Sequence, residues 1–271
     1  MTFITDLPHT IDYLLGGKVT ILQPLEGYRV AVDTPLLAAA ITPKQGQKIL
    51  DAGCGTGGIS LCLAARCHAM DFSITGLDMN GDYLALAQQS ASYLSASPQT
   101  QSKIPPKTRA RFSWVEGNYF TPPDSLLQVF DQVVTNPPFL DALQHQPSSE
   151  AGLRRAHGGE DTGKNYGDWL KQAASYLKTG GTLTLIHRAD ALPQLLAACL
   201  GKNPQHPLFG AVEILPLYPK PDKPANRILL RAIRGRKTPL TLHHGLIMHE
   251  HGGAYPEAIE QIIRHAAALE W

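Results

Sequence analysis

Apolar residues in this chain switch repeatedly between two rhythms. "KILDAGC", "FSITGLD", "FDQVVTN", "TLTLIHR", "AVEILPLYP" and "NRILLRAIR" are short, nearly unbroken apolar runs, the pattern of strands buried on both faces. "ARFSWVEG" alternates and reads as a further strand. Between them lie stretches of helical period: Gly57–Cys67, Gly81–Leu94, Gly167–Leu177 closed by Gly180–Gly181, and "ADALPQLLAACL". Strand and helix in alternation predict an α/β fold with a mostly parallel sheet covered by helices.

The flanks behave differently. Ahead of the alternating region, a Gly16–Gly17 turn precedes a strand in "KVTILQP". "GYRVAVDTPLLAAAI" then begins as a loop and ends as a helix, with Asp33 and Thr34 available as caps before Pro35. Behind it, "PLTLHHGLIMHE" predicts a short strand, followed by a Gly-Gly turn and an amphipathic helix from Pro256 to Trp271. The expected organisation is an N-terminal extension over 1–43, a core over 44–237, and a C-terminal strand and helix over 238–271 within the same domain. "SASPQTQSKIPPK" reads as a polar loop.

Composition adds limits. The 271 residues are 43% hydrophobic and 17% charged, enough for one large domain with a core. The net charge of +1 does not by itself announce a nucleic-acid partner. Cys54, Cys62, Cys67 and Cys199 form no C-x-x-C pair, which argues for buried thiols in a reducing compartment and against a zinc site. The first residues lack a basic segment followed by a long apolar core, and no run reaches membrane-spanning length. A cytoplasmic protein without membrane or metal partners is expected.

The glycine-rich stretch "KILDAGCGTGG" places Gly53, Gly55, Gly57 and Gly58 at a strand-to-helix junction. Glycine permits backbone angles and close approach that side chains block, and the following helix start offers free N–H groups. Asp78 lies 20 residues beyond Gly58, where a ribose-binding acid is expected. The loop alone fits either a dinucleotide or another adenosine-containing cofactor.

"TNPPF" is harder to explain with a dinucleotide. Asn136, Pro137, Pro138 and Phe139 stand at the end of a predicted strand. The nitrogen of an exocyclic amine or amide is a poor nucleophile, because its lone pair is delocalised. Two acceptors aimed at its N–H groups help it pyramidalise. The Asn136 side-chain oxygen and the Pro137 carbonyl can be those acceptors, the prolines stiffen the carbonyl, and Phe139 offers a stacking face. Adenine N6, guanine N2 and glutamine N5 all present such a nitrogen.

With both motifs in this order, the chain resembles class I S-adenosylmethionine-dependent methyltransferases. Asp51, Gly53, Gly55 and Gly57 match the first motif of that family. The resemblance implies a Rossmann-like, mostly parallel seven-stranded sheet with helices on both faces and an antiparallel edge strand. It also implies a glycine loop around the methionine end of S-adenosylmethionine, Asp78 on the ribose and Asn118, where Asp is commoner, near the adenine. "EGYRVAVDTPLLAAA", "NPPF", "RRAH", "GGTLTLIHRAD" and "LPLYPKPDKPANRILLRA" together resemble bacterial tRNA adenine-N6 methyltransferases, which modify the adenine beside the anticodon of a valine tRNA. In that family the segment matching Tyr28, Arg29 and Asp33 packs over the cofactor. tRNA is then the implied partner, with protein glutamine or rRNA guanine as alternative acceptors.

Local charge points the same way. Between Lys202 and Lys237 eight basic residues face two acids, Glu213 and Asp222. Lys223 and Arg227 are candidate phosphate contacts there. Arg154, Arg155 and His157 follow the Asn-Pro-Pro-Phe motif and are candidates to close over the substrate. "GGEDTGKN" falls short of a phosphate loop, with Asn165 in place of Ser or Thr and no buried strand before it. "HHGLIMHEH" lacks a spacing that completes a metal site.

Overall fold

The computed structural model describes residues 3–27, 29–95, 108–137, 165–201 and 205–271. Strands β3 (Lys48–Ala52), β4 (Ser73–Asp78), β5 (Arg111–Glu116), β6 (Phe130–Thr135) and β7 (Leu177–Arg188) are parallel, in the spatial order β5-β4-β3-β6-β7. Beyond β7 lie β9 (Arg227–Arg234) and then β8 (Phe209–Tyr218), and β9 is antiparallel to both neighbours. Two-residue strands β10 (Thr241–Leu242) and β11 (Leu246–Ile247) pair in parallel with β8. The nine-stranded sheet therefore corrects the expected one: its antiparallel member is interior, not an edge. Ile228, Leu229, Leu230 and Ala232 explain the placement. A strand buried on both faces leaves its backbone and side chains unsatisfied at an edge.

Helices α2 (Gly58–Arg66), α3 (Gly81–Ser95), α4 (Tyr166–Tyr176) and α5 (Leu192–Leu200) cover the sheet, and the core forms two apolar layers. Asn165 and Asp168 make a reciprocal capping box at the start of α4. Gly180–Gly181 lies inside β7, where the pairing with β6 slips, and does not end the helix. Helix α4 stops at Tyr176 because β7 begins at Leu177.

The N-terminal segment forms a separate hairpin of β1 (His9–Leu14) and β2 (Val19–Pro24). It packs on α3, where Leu22 N–H donates to Ser90 Oγ at 2.9 Å. Helix α1 (Asp33–Ala39) follows, with no side-chain cap at its start. Its far end is capped from another helix. Arg66, in the last turn of α2, donates from Nη2 to the carbonyls of Ala38, at 3.3 Å, and Ile41. Arg66→Ala is expected to cost about 2 kcal/mol, because it removes a charged donor from the Ile41 carbonyl and leaves Ala38 O only its backbone donors. Urea denaturation measures the loss, and a change under 0.5 kcal/mol, the range of an ordinary surface substitution, would rule the cap out.

Helix α6 (Glu257–His265) is shorter than expected. Ala266 takes a left-handed conformation, φ 62°, and turns the following residues onto α1. Leu269 N–H donates to Ala39 O at 3.0 Å, and Trp271 Nε1 to Ala40 O at 3.2 Å. The Arg231 guanidinium lies 4.4 Å from the centre of the Trp271 ring, a cation–π contact. Among the described residues no helix is long and apolar enough to cross a membrane, and no three His, Cys, Asp or Glu residues cluster as metal ligands.

Candidate active site at the strand tips

The glycine loop leaves β3 at the carboxyl end of the sheet. Gly53, Gly55 and Gly57 all have positive φ, 74°, 53° and 79°. The N–H groups of Gly53 and Cys54 donate to Leu77 O on β4, at 2.8 and 3.1 Å. Asp78 fastens the next turn: its Oδ2 accepts from Gly55 N–H at 2.8 Å and its Oδ1 from Asn80 N–H at 2.9 Å. The acid expected at a ribose therefore also fixes the loop. A Cβ on Gly53 would meet nothing within 4 Å, so that backbone faces open space.

Trp114 on β5 explains two other glycines. A Cβ on Gly57 would stand 2.8 Å from Trp114 Cη2, and one on Gly76 2.4 Å from Trp114 Cε3. The indole occupies the room that both lack of side chains creates. Trp114, Met79, Val115, Glu116, Gly117 and Asn118 line a cavity of about 560 Å³ at the tips of β4 and β5. Asn118 Oδ1 accepts from Phe120 N–H at 2.8 Å, which orients its amide at the cavity rim.

Asp51 is completely buried below the loop. Its Oδ2 accepts from Ser60 N–H at 3.1 Å and Ser60 Oγ at 2.6 Å, capping α2 from outside the helix. No described residue hydrogen-bonds its Oδ1. Burial pushes the carboxyl up to about 7 against the lowering pull of the Ser60 bonds. An unfolded aspartate loses its proton near pH 4. Between that pH and about 7 the folded chain holds the extra proton, so stability falls as pH rises through this window. Asp51→Asn, which keeps an acceptor for Ser60, is expected to remove that fall. Urea midpoints of the two proteins that run parallel from pH 5 to 7 would contradict the shift.

The Asn-Pro-Pro-Phe motif begins at the tip of β6. Ala52 on β3 pairs with Thr135, and Thr135 Oγ1 donates to Ala52 O at 2.9 Å. The next residues are Gly53 on one strand and Asn136 on the other, so the two motifs share one edge. Asn136 is half-buried and Pro137 buried. Tyr28, Pro138, Phe139, Arg154, Arg155, His157 and Lys202 lie outside the described residues.

Other sequence candidates have partners of their own. Arg29 pairs with Asp12 at 2.7 Å and donates to Pro24 O at 3.0 Å, within the N-terminal hairpin. Asp33 and Arg227, read separately as cofactor and substrate residues, meet each other at 3.3 Å and join α1 to β9. Arg231 pairs with Glu213 at 2.5 Å, and Arg234 donates to Leu177 O. Lys223 is exposed in the β8–β9 turn, at the same end as Asn136. Sequence reasoning missed Trp114 and Met79. Their signal was a residue type large enough to fill a cavity wall, at or beside a strand tip.

The methyltransferase small domain family matches residues 28–205. A tRNA1(Val) (adenine(37)-N6)-methyltransferase of Bacteroides fragilis is 27% identical over 204 residues, 74% of this chain and 76% of the relative. A release factor glutamine methyltransferase of Agrobacterium fabrum is 28% identical over 182 residues, 65% of this chain and 56% of the relative. The crystal structure of a predicted O-methyltransferase from Agrobacterium tumefaciens superposes with TM-score 0.62 at 23% identity, covering 88% of this chain and 98% of that one.

Proposed function

The chain belongs to the methyltransferase small domain family and has its Rossmann-like, S-adenosylmethionine-binding fold, and from this premise we propose that it methylates the exocyclic N6 amine of an adenine in tRNA. The observation that carries the reading is the shared edge of Gly53 and Asn136, set by the pairing of Ala52 with Thr135. Cofactor and acceptor are brought to neighbouring strand tips.

S-adenosylmethionine supplies a methyl group on a sulfonium. The open backbone face at Gly53, the cavity beside Asn118 and the unpaired buried Asp51 Oδ1 fit a ligand with an adenosine at one end and an amino acid at the other. In this reading Asp51, Gly53, Gly55 and Gly57 hold the amino-acid end, Asp78 the ribose and Asn118 the adenine. Asn136 Oδ1 and the Pro137 carbonyl accept from the two N–H groups of the target amine, and Phe139 stacks on the base. As the nitrogen takes the methyl, one of its protons leaves to solvent. Preorganised acceptors suffice for this, without a strong general base.

Adenine beside the anticodon is favoured by the Bacteroides fragilis relative, which is named for adenine-37 of a valine tRNA. The release factor relative makes glutamine N5 the second reading. Unmodified tRNA incubated with the protein and S-adenosylmethionine, then digested for mass spectrometry, should gain N6-methyladenosine. N2-methylguanosine, or methyl transfer to a release factor alone, would overturn the adenine assignment.

A further inference from the structure

The edge of the sheet opposite Asn136 is basic. Five parallel strands begin there and β9 ends there. At the start of β5, Arg109 and Arg111 are exposed. Next to them, Gly46 N–H donates to Asp71 O, which brings the turn before β3 alongside, with Lys44 and Lys48 exposed on it. Lys178 follows at the start of β7. Past β9 the chain turns at Arg236 and Lys237, both exposed, and returns along β8 where Ala211 N–H donates to Thr238 O.

Two carboxylates stand among these strand starts. Asp71 pairs with Arg111, and Asp131 pairs with Lys178 at 2.6 Å. No described residue forms an ion pair or hydrogen bond with the side-chain nitrogens of Lys44, Lys48, Arg236 or Lys237. At the acceptor end Arg29, Arg188 and Arg227 are each matched by an aspartate, while Lys220 and Lys223 in the β8–β9 turn form no described ion pair. Among the described residues the edge away from Asn136 therefore holds more cations without an ion pair than the acceptor end does.

We propose that this edge is a second docking surface, which takes the phosphate backbone of the tRNA at a distance from the methylated base. The proposal rests on the tRNA reading above. From β5 to β9 the edge crosses six strands, roughly 24 Å at the spacing of neighbouring strands. That is a line of charge several phosphates long, as a polymer backbone requires. Four of its seven named cations are lysines, which protein–protein interfaces disfavour. β6 separates the edge from Asn136 by about 20 Å. A ligand that reaches both ends must be large, and tRNA is.

The test compares the native protein with K44Q/K48Q/R236Q/K237Q, which leaves every described ion pair in place. Filter binding of unmodified tRNA is measured against salt, without methyl transfer. The variant should bind at least about tenfold more weakly, with a log–log salt slope shallower by up to about 3. Its affinity for S-adenosylhomocysteine and its melting temperature should not change. For a hairpin cut to the anticodon loop and two base pairs, native and variant should bind alike. Unchanged tRNA affinity and slope would overturn the proposal, as would equal loss on the short hairpin. Displacement of tRNA by polyglutamate as readily as by RNA would assign the edge to an acidic protein instead. Because binding is read without chemistry, loss of tRNA binding in the variant stands even if the methylated product turns out to be another group.

Discussion

Asn136→Ala should lower kcat by about 10²–10³-fold, the range for removing one preorganised hydrogen-bonding group, such as an oxyanion-hole donor, from a polar transition state. Its affinity for S-adenosylmethionine should stay within about twofold. The reasoning is positional. Thr135 is locked to Ala52 by a pairing and a side-chain hydrogen bond, so the tip of β6 keeps its place when the Asn136 amide is removed. The glycine loop is held separately, by Leu77 and Asp78 on β4. Truncating Asn136 therefore deletes an acceptor without loosening the loop. Single-turnover rates and titration calorimetry separate the two effects. A variant that loses cofactor affinity in proportion to turnover would show that Asn136 belongs to the cofactor cradle alone. Asn136→Asp tests the same point from the other side, since a carboxylate still accepts but offers no N–H.

The second large effect is structural. Gly57→Ala meets two obstacles at once: a φ of 79°, unfavourable for a side chain, and Trp114 Cη2 only 2.8 Å from the new Cβ, with Ala87 Cβ at 3.0 Å. Overpacking costs about 1–3 kcal/mol and the backbone term about 1 kcal/mol more. The expected loss is thus about 2–4 kcal/mol in urea denaturation, together with weakened cofactor binding. Trp114→Phe in the same chain removes the outer ring and should recover the packing part, but not the backbone part. If the double variant is no more stable than Gly57→Ala, the indole is not what requires glycine there.

The glycine loop and the strand that ends before Asn136 were legible because each is marked by residues that special backbone geometry needs: glycines of positive φ after one strand, prolines after the other. Long apolar runs likewise gave the parallel strands. The sequence did not reveal that β9 lies inside the sheet, because an apolar strand reads alike wherever both its faces are covered. Nor did it reveal β1. His9, Ile11 and Tyr13 point outward while Thr10, Asp12 and Leu14 are half-buried. Asp12 is turned inward to serve Gln23 and Arg29, which inverts the usual polar-out pattern. The basic stretch misled for a related reason. A linear count cannot see that Arg227 and Arg231 are matched by Asp33 and Glu213, or that β9 carries its two ends to opposite sides of the sheet.

The tail that lies on α1 has a kinetic side. Trp271 bonds Ala40 across 231 residues of chain, and Arg227 reaches Asp33 across 194. Contacts of such sequence separation form late, because loop closure must precede them. During refolding the parallel sheet should gain hydrogen-exchange protection before α1 does, with that helix secured against α2 only when the tail arrives. Protection of α1 amides in step with β3 would mean that the tail merely settles on a helix already in place. The order has a local consequence: a chain with a finished sheet and an unsecured α1 already has the tip of β6 in place, while Thr34 is not yet packed beside Gly58.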